Sequence, residues 1–279
     1  MTTGLYSPQW IALCREAAIA SQSISAGLTA LRRANYAATG LYSHAFFSLS
    51  IGLERLLKLI FIIDHTIQYN LTYPTEQDLR RRFGHDLEKL FTNAIRVHRR
   101  LPDRRQRYEL STDSLESEIL GFLAQFAKTT RYYNLDYIVS GRVADSRDDP
   151  IQKWFETIGV QILAKHYSER QRKKDAQSAA LADELLRDHA LVLHTAEDGS
   201  PLTSIESAAL QTGKNKVIQK YGTFYCAKIA RFLYMVLYDL VYDANRAGLE
   251  IPYLSEFFFP FMNDDSYLLS RKTFPPPGQ

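Results

Sequence analysis

The sequence has few cysteines, no recognisable metal-ligand spacing and no long apolar run, and each shortage excludes a class of protein. Its two cysteines, Cys14 and Cys226, lie far apart with no paired spacing. That pattern excludes a disulfide scaffold or a zinc ribbon and predicts reduced thiols in an intracellular, cytoplasmic protein. His166, His189 and His194 lack metal-ligand spacing, and neither Glu-x-x-His nor Cys-x-x-Cys occurs. No metal or other cofactor is therefore expected. Nothing resembles a phosphate loop or a nucleophile elbow. The first ten residues, MTTGLYSPQW, lack the basic-then-apolar pattern of a secretory signal. The nearest candidate for a membrane span, Tyr221 to Ala244, is interrupted by Lys228, Arg231 and Asp239, so no span is expected. A net charge of +3 gives no global electrostatic case for nucleic acid. No segment alternates convincingly with the period of a strand, and no internal repeat is present.

What remains is helical. At 279 residues, 46% hydrophobic and 23% charged, the chain can bury a sizeable core of ordinary composition. Ser7-Pro8 starts a helix that runs to about Arg33, and Asn35 to Gly40 reads as a turn. From Leu41 to Asp64 apolar residues step by three and four. Thr75 caps the next helix with Asp78 near its third position, and Gly84 sits inside that helix. Leu101 to Leu110 is a charged connector, after which Ser111 or Thr112 begins another helix. Gly141 to Pro150 is polar and turn-rich and marks a boundary. Asp149-Pro150 opens a further helix, Ser168 to Ser178 is almost wholly polar, and Ala196 to Thr203 is a loop. Thr203 and Glu206 form a capping-box pattern, followed by an apolar helix from Val217 to Arg246. The tail from Ile251 is aromatic early and proline-rich at its end. The fold class is all-α: an antiparallel bundle over residues 1–145 and further helices over 146–279 packed on or beside it.

Glu54 and Lys58 stand four apart on the second helix, and Gly84-His85-Asp86-Leu87 follows a basic run. Together with Ala45-Phe46, Gly52 to Lys58, Leu90, Arg131 and Asn134, this order resembles the HEPN superfamily (higher eukaryotes and prokaryotes nucleotide-binding) over roughly residues 10 to 140. The resemblance implies a helical bundle that dimerises. It also implies, in active members, an Arg-x(4–6)-His motif that cuts RNA without metal. An arginine there stabilises phosphoryl charge and a histidine moves a proton near neutral pH. Arg131 occupies the motif's place, but the positions where its histidine belongs hold Asp136, Tyr137 and Ile138. Arg80 and His85 satisfy the same spacing outside that place. The candidate catalytic residues are thus Arg131, His85 and Arg80. Glu54, Lys58, Asp86, Asn134 and Asp136 are candidate binding and orienting groups.

Between Arg80 and Arg107 there are ten Lys or Arg against three acids. Arg96, Arg99 and Arg100 belong to this patch and are candidate phosphate contacts, with Arg104, Arg105 and Arg107 beyond them. A solvated helix face is the competing reading, because aromatic residues are sparse there. Tyr234, Tyr238 and Tyr242 share one helix face, suited to packing or to a partner. These features predict a binding or regulatory protein that engages RNA, a nucleotide or a partner protein as a homodimer. The resemblance suggests a bacterial defence or toxin–antitoxin-type setting. The alternatives are a metal-independent endoribonuclease and a structural, oligomerising subunit.

Overall fold

The computed structural model describes residues 6–70, 72–101, 110, 114–140 and 148–275. Arg104, Arg105 and Arg107, the helix start at Ser111 or Thr112, and positions 141–147 of the expected boundary lie outside the described residues. Among the described residues the chain is all-α apart from one small hairpin. No helix among the described residues is long and apolar enough to cross a membrane.

Helix α1 (Pro8–Leu31) begins where the Ser7 hydroxyl accepts a bond from the Trp10 N–H, with proline in the first turn. It stops short of Arg33. The Asn35 side chain takes the N–H groups of Ala37 and Ala38 and closes a turn. Helix α2 (Gly40–Gln68) runs antiparallel to α1, pairing Gly52 with Ile24 and Arg55 with Glu16. It continues past Asp64, the expected end. That buried carboxylate accepts from Arg100 at 2.6 Å and from Gln68 at 2.8 Å, so the helix carries the charge inside.

The expected helix through Gly84 is two helices, α3 (Glu76–Arg82) and α4 (Leu87–Arg100). Gly84 has φ +54°, a left-handed conformation open to glycine at little cost, and the chain turns there. The capping box at Thr75 and Asp78 is present. Helix α5 (Leu115–Gln125) widens into a π-helical turn, Phe126–Thr130, before α6 (Tyr133–Ser140). Asp149 caps α7 (Pro150–Trp154), and a second π turn, Phe155–Gly159, leads to α8 (Val160–His166). The polar stretch belongs to a separate helix, α9 (Glu169–Leu186), capped by Ser168.

The loop expected at 196–203 holds strands β1 (His194–Thr195) and β2 (Pro201–Leu202), paired antiparallel around Gly199 at φ +82°. Two-residue strands are too short for period-two alternation to register. Glu197, 4% exposed, ties this hairpin to the helices. It accepts from the Tyr42 hydroxyl (3.1 Å), Asn215 (2.7 Å) and Gln211 (2.6 Å). Burial, then the neighbouring carboxylate, pushes the Tyr42 hydroxyl far above its ordinary pKa.

Helix α10 (Ile205–Arg246) has 42 residues, about 63 Å at 1.5 Å per residue. It starts twelve residues before the apolar run. Its capping box joins Ser204 to Ser207, one residue later than Thr203 and Glu206. The extra turns pack against α9. The chain closes with α11 (Ser255–Phe258), a 3-10 turn, Phe259–Phe261, and α12 (Asp265–Ser270). One hydrophobic core draws on both halves of the sequence, from Leu13 to Phe274. Phe46 sits in it against Phe122, Phe126 and Trp154.

Candidate functional site

The outer stripe of α2 carries Phe47, Glu54 and Lys58, spaced by seven and four and therefore on one side. The left-handed turn at Gly84 delivers His85 to this stripe. The His85 Nδ1 lies 2.9 Å from Glu54 Oε1, and the Lys58 ammonium donates to the same oxygen at 2.7 Å. The Glu54 side chain is only 17% exposed, whereas that of His85 is 88% exposed. Glu54 thus fixes the ring while the rest of the imidazole faces water. In a neutral ring that donates Nδ1–H to Glu54, Nε2 is left as the acceptor.

Asp86, the next residue, caps α4 by accepting from the Lys89 N–H at 3.1 Å. Its other oxygen accepts from Lys128 at 3.1 Å. Partial burial pushes the Asp86 carboxyl up, but the hydrogen bonds from Lys89 and Lys128 and their charges outweigh it and hold the pKa low. Lys128 belongs to the π turn after α5, and Arg131 ends that turn one helical step further on. The Arg131 guanidinium lies 4.9 Å from the centroid of the Phe47 ring, a cation–π distance. Its Nε is buried without a hydrogen-bond partner. Glu54, one carboxylate that the sequence offers it, is occupied by Lys58 and His85.

The stripe therefore brings together Glu54, Lys58, His85 and, through Lys128, Asp86 at one end, with Arg131 at the other. It does not gather the remaining candidates. Arg80 pairs with Glu76 at 2.7 Å on the exposed side of α3. Asn134 and Asp136 are exposed on α6. Arg96 donates to Asn93 at 2.6 Å, Arg100 to Asp64 at 2.6 Å, and Arg99 faces solvent. Part of the basic run is thus already engaged inside the fold. Tyr234 is buried, while Tyr238 and Tyr242 are exposed. Among the described residues no group of three or more His, Cys, Asp or Glu is placed to hold a metal ion.

A cleft of about 880 Å³ lies away from this stripe, between α8, α10 and the start of α5. Lys165, His166 and Tyr225 line it, and none of them stands in a motif. The buried Glu116 in its wall is paired with Lys228. His166 stacks on Tyr221 with ring centroids 3.6 Å apart, and its Nε2 lies 2.8 Å from the Tyr225 hydroxyl. Such groups hold α8 to α10 and spend their polar atoms on each other. For that reason size alone does not make this cleft the better candidate. The sequence signal for it is weak: a lone lysine and histidine ending α8, and Lys228 inside an apolar run.

No family model, curated protein or solved structure matches the chain.

Proposed function

We propose that this chain is a HEPN-like binding and regulatory protein that engages RNA phosphates along the outer stripe of α2. The observation that carries the reading is Arg131, whose guanidinium rests on Phe47 with an unpaired Nε and, among the described residues, no carboxylate within ion-pair distance. A stacked arginine is pre-organised, and its terminal nitrogens suit bidentate contact with phosphate. Lys128, one turn earlier, adds a second positive charge.

Magnitude separates binding from cleavage. Phe47 and Glu54 are seven residues apart, about 10 Å along the helix. Arg131 is anchored over the first and His85 on the second. A proton-transfer group must come within about 3 Å of the proton it moves, at the same phosphate the arginine stabilises. The arrangement suits contacts to separate phosphates of one strand better than joint action on a single one. The second reading, a metal-independent endoribonuclease, is favoured by one observation: His85 is highly exposed with its ring held by Glu54. The resemblance also supports a homodimer, in a bacterial defence or toxin–antitoxin-type setting. Helix α6, directly after Arg131, leaves Leu135, Ile138 and Val139 exposed, an apolar surface of the kind partners cover.

Filter binding of labelled RNA in EDTA tests the reading. Wild type should retain RNA at low salt and release it as salt rises. Arg131→Ala with Lys128→Ala should weaken retention and reduce the slope of log K against log salt by about one per lost contact. Retention unchanged by both substitutions overturns the proposal. RNA cleavage that His85→Ala abolishes moves the chain to the second reading.

A further inference from the structure

A second charged site lies at the C-terminal end of α1, formed by residues that no motif links. Arg32 and Arg33 follow the end of α1, Lys216 and Lys220 occupy one face of α10, and Lys272 follows α12. These five cations line one cavity of about 540 Å³. None of the five has a carboxylate within ion-pair distance among the described residues. Two cations at a helix C-terminus complement its dipole. That account covers Arg32 and Arg33 but leaves three lysines converging on them from two other elements. Like charges gathered in a concave, partly desolvated space repel unless an anion joins them.

The cavity is held in shape. The Arg32 Nε donates to the Arg271 carbonyl at 3.1 Å, which leaves its terminal nitrogens for a ligand. Gln219, also in the wall, donates to the Ala34 carbonyl at 2.9 Å and ties α10 to the end of α1. Burial holds the Arg32 guanidinium below its ordinary pKa, a sign that its charge is short of solvation.

Arg33 also lines a second cavity, of about 520 Å³, whose other walls include Ser25, Ala26, Ala30, Leu41 and Phe274. Its lining is largely uncharged. Ser25 is 1% exposed, and its hydroxyl is buried with no hydrogen-bond partner. Buried hydroxyls are nearly always satisfied, and this unpaired one stands in the cavity wall, where a ligand atom can meet it. One cavity thus offers positive charge and its neighbour a largely uncharged wall of mixed apolar and polar groups with the unpaired Ser25 hydroxyl in it, and Arg33 lines both.

We propose that these two adjoining cavities bind a small organic polyphosphate, its phosphates among Arg32, Arg33, Lys216, Lys220 and Lys272 and its organic body beside Ser25. Arginines grip phosphate oxygens through paired donors and lysines add point charge. The site shares no residue with the α2 stripe and stands whether or not that stripe binds RNA.

Calorimetric titration of the full chain with ATP, inorganic tripolyphosphate and adenosine tests it. ATP should bind more tightly than tripolyphosphate, and adenosine more weakly than either. Arg33→Gln combined with Lys216→Gln, both at exposed positions, should weaken ATP and tripolyphosphate on the order of tenfold or more, as expected for two lost charge-assisted contacts. Ser25→Ala should weaken ATP and leave tripolyphosphate unchanged. Arg131→Ala should leave ATP binding intact, which separates this site from the RNA reading. No heat with ATP or tripolyphosphate at low salt overturns the proposal, as does binding that the double charge substitution leaves unchanged. Equal affinity for ATP and tripolyphosphate overturns the role of the Ser25 cavity. RNA that binds at these cations and is not displaced by ATP overturns the small-ligand assignment.

Discussion

His166 shows how one residue's surroundings translate into a measurable pH dependence. Its ring lies flat on Tyr221 and shares a hydrogen bond with Tyr225. Burial, then the positive charges of Lys165 and Lys220, hold its pKa below 6.5. Lys165 itself is held above its ordinary value by its hydrogen bond to Tyr225, so it stays charged. In the unfolded chain the histidine takes up its proton at a higher pH than in the fold. The unfolded state therefore binds more protons in the window just below pH 6.5, and stability is lost as the pH is lowered through it. Above that window both states hold a neutral ring and the term vanishes. Thermal unfolding at about pH 7.5 and about pH 5.5, on either side of the ordinary histidine pKa, should show a larger loss for wild type than for His166→Gln. Carboxylates titrate in both proteins, so the difference between the two losses is the readout. Equal losses would show that His166 titrates as it does in the unfolded chain.

At the scale of elements, the α1–α2 pair is set by two glycines. A β-carbon on Gly27 would stand 2.7 Å from Leu49 Cγ and 2.9 Å from the Leu49 nitrogen. One on Gly52 would stand 2.7 Å from Ile24 Cγ1 and 2.8 Å from the Ile24 nitrogen. Each helix thus presses backbone against the other's glycine, and backbone cannot rotate aside. Alanine at either site gains about 1 kcal/mol of helix propensity, whereas overpacking costs about 1–3 kcal/mol and occasionally more, and the backbone clashes at 2.9 Å and 2.8 Å place these two sites at the upper end. Gly27→Ala and Gly52→Ala should therefore each lower the midpoint of chemical denaturation, and an unchanged or raised midpoint would refute the close approach. The same scale shows what could be read in the sequence. The caps at Ser7, Thr75 and Asp149 were legible because a cap is a local bond between a side chain and the next turn. The Glu54–His85 contact was legible as a candidate because both residues stand in short motifs. The stack of Arg131 on Phe47 was not, since it depends on a π turn that no periodicity marks. The polar first turns of α10 and the two-residue strands were also invisible, because α9 and Glu197 hold them through contacts distant in sequence. The cationic cavity joins residues 32, 33, 216, 220 and 272, a gathering that only the folded chain makes.

Across the whole molecule, α10 acts as a spine that both halves of the sequence share. Phe232 meets Phe91 and His98 of α4, with ring centroids 6.1 Å and 5.1 Å away. Lys228 pairs with Glu116 of α5. The tail returns to the first helix, where Ser21 donates to the Phe257 carbonyl and the Phe274 N–H donates to Thr29 at 3.0 Å. Trp154, 1% exposed, stands where the halves meet, against Phe46 and Phe122. Removing either half would strip apolar partners from the other. At about 25 cal/mol for each Å² of apolar surface exposed, a few hundred Å² would remove a large share of a typical net stability of about 5–15 kcal/mol. The two halves should therefore unfold together. In a denaturant titration, helical circular dichroism should report the whole chain, and in a Trp10→Phe background tryptophan fluorescence should report Trp154 at the junction. Both signals should follow one transition with the same midpoint and slope, as two-state unfolding requires. A fluorescence change completed well before the loss of helix would mean that the halves separate first, and that each folds on a core of its own.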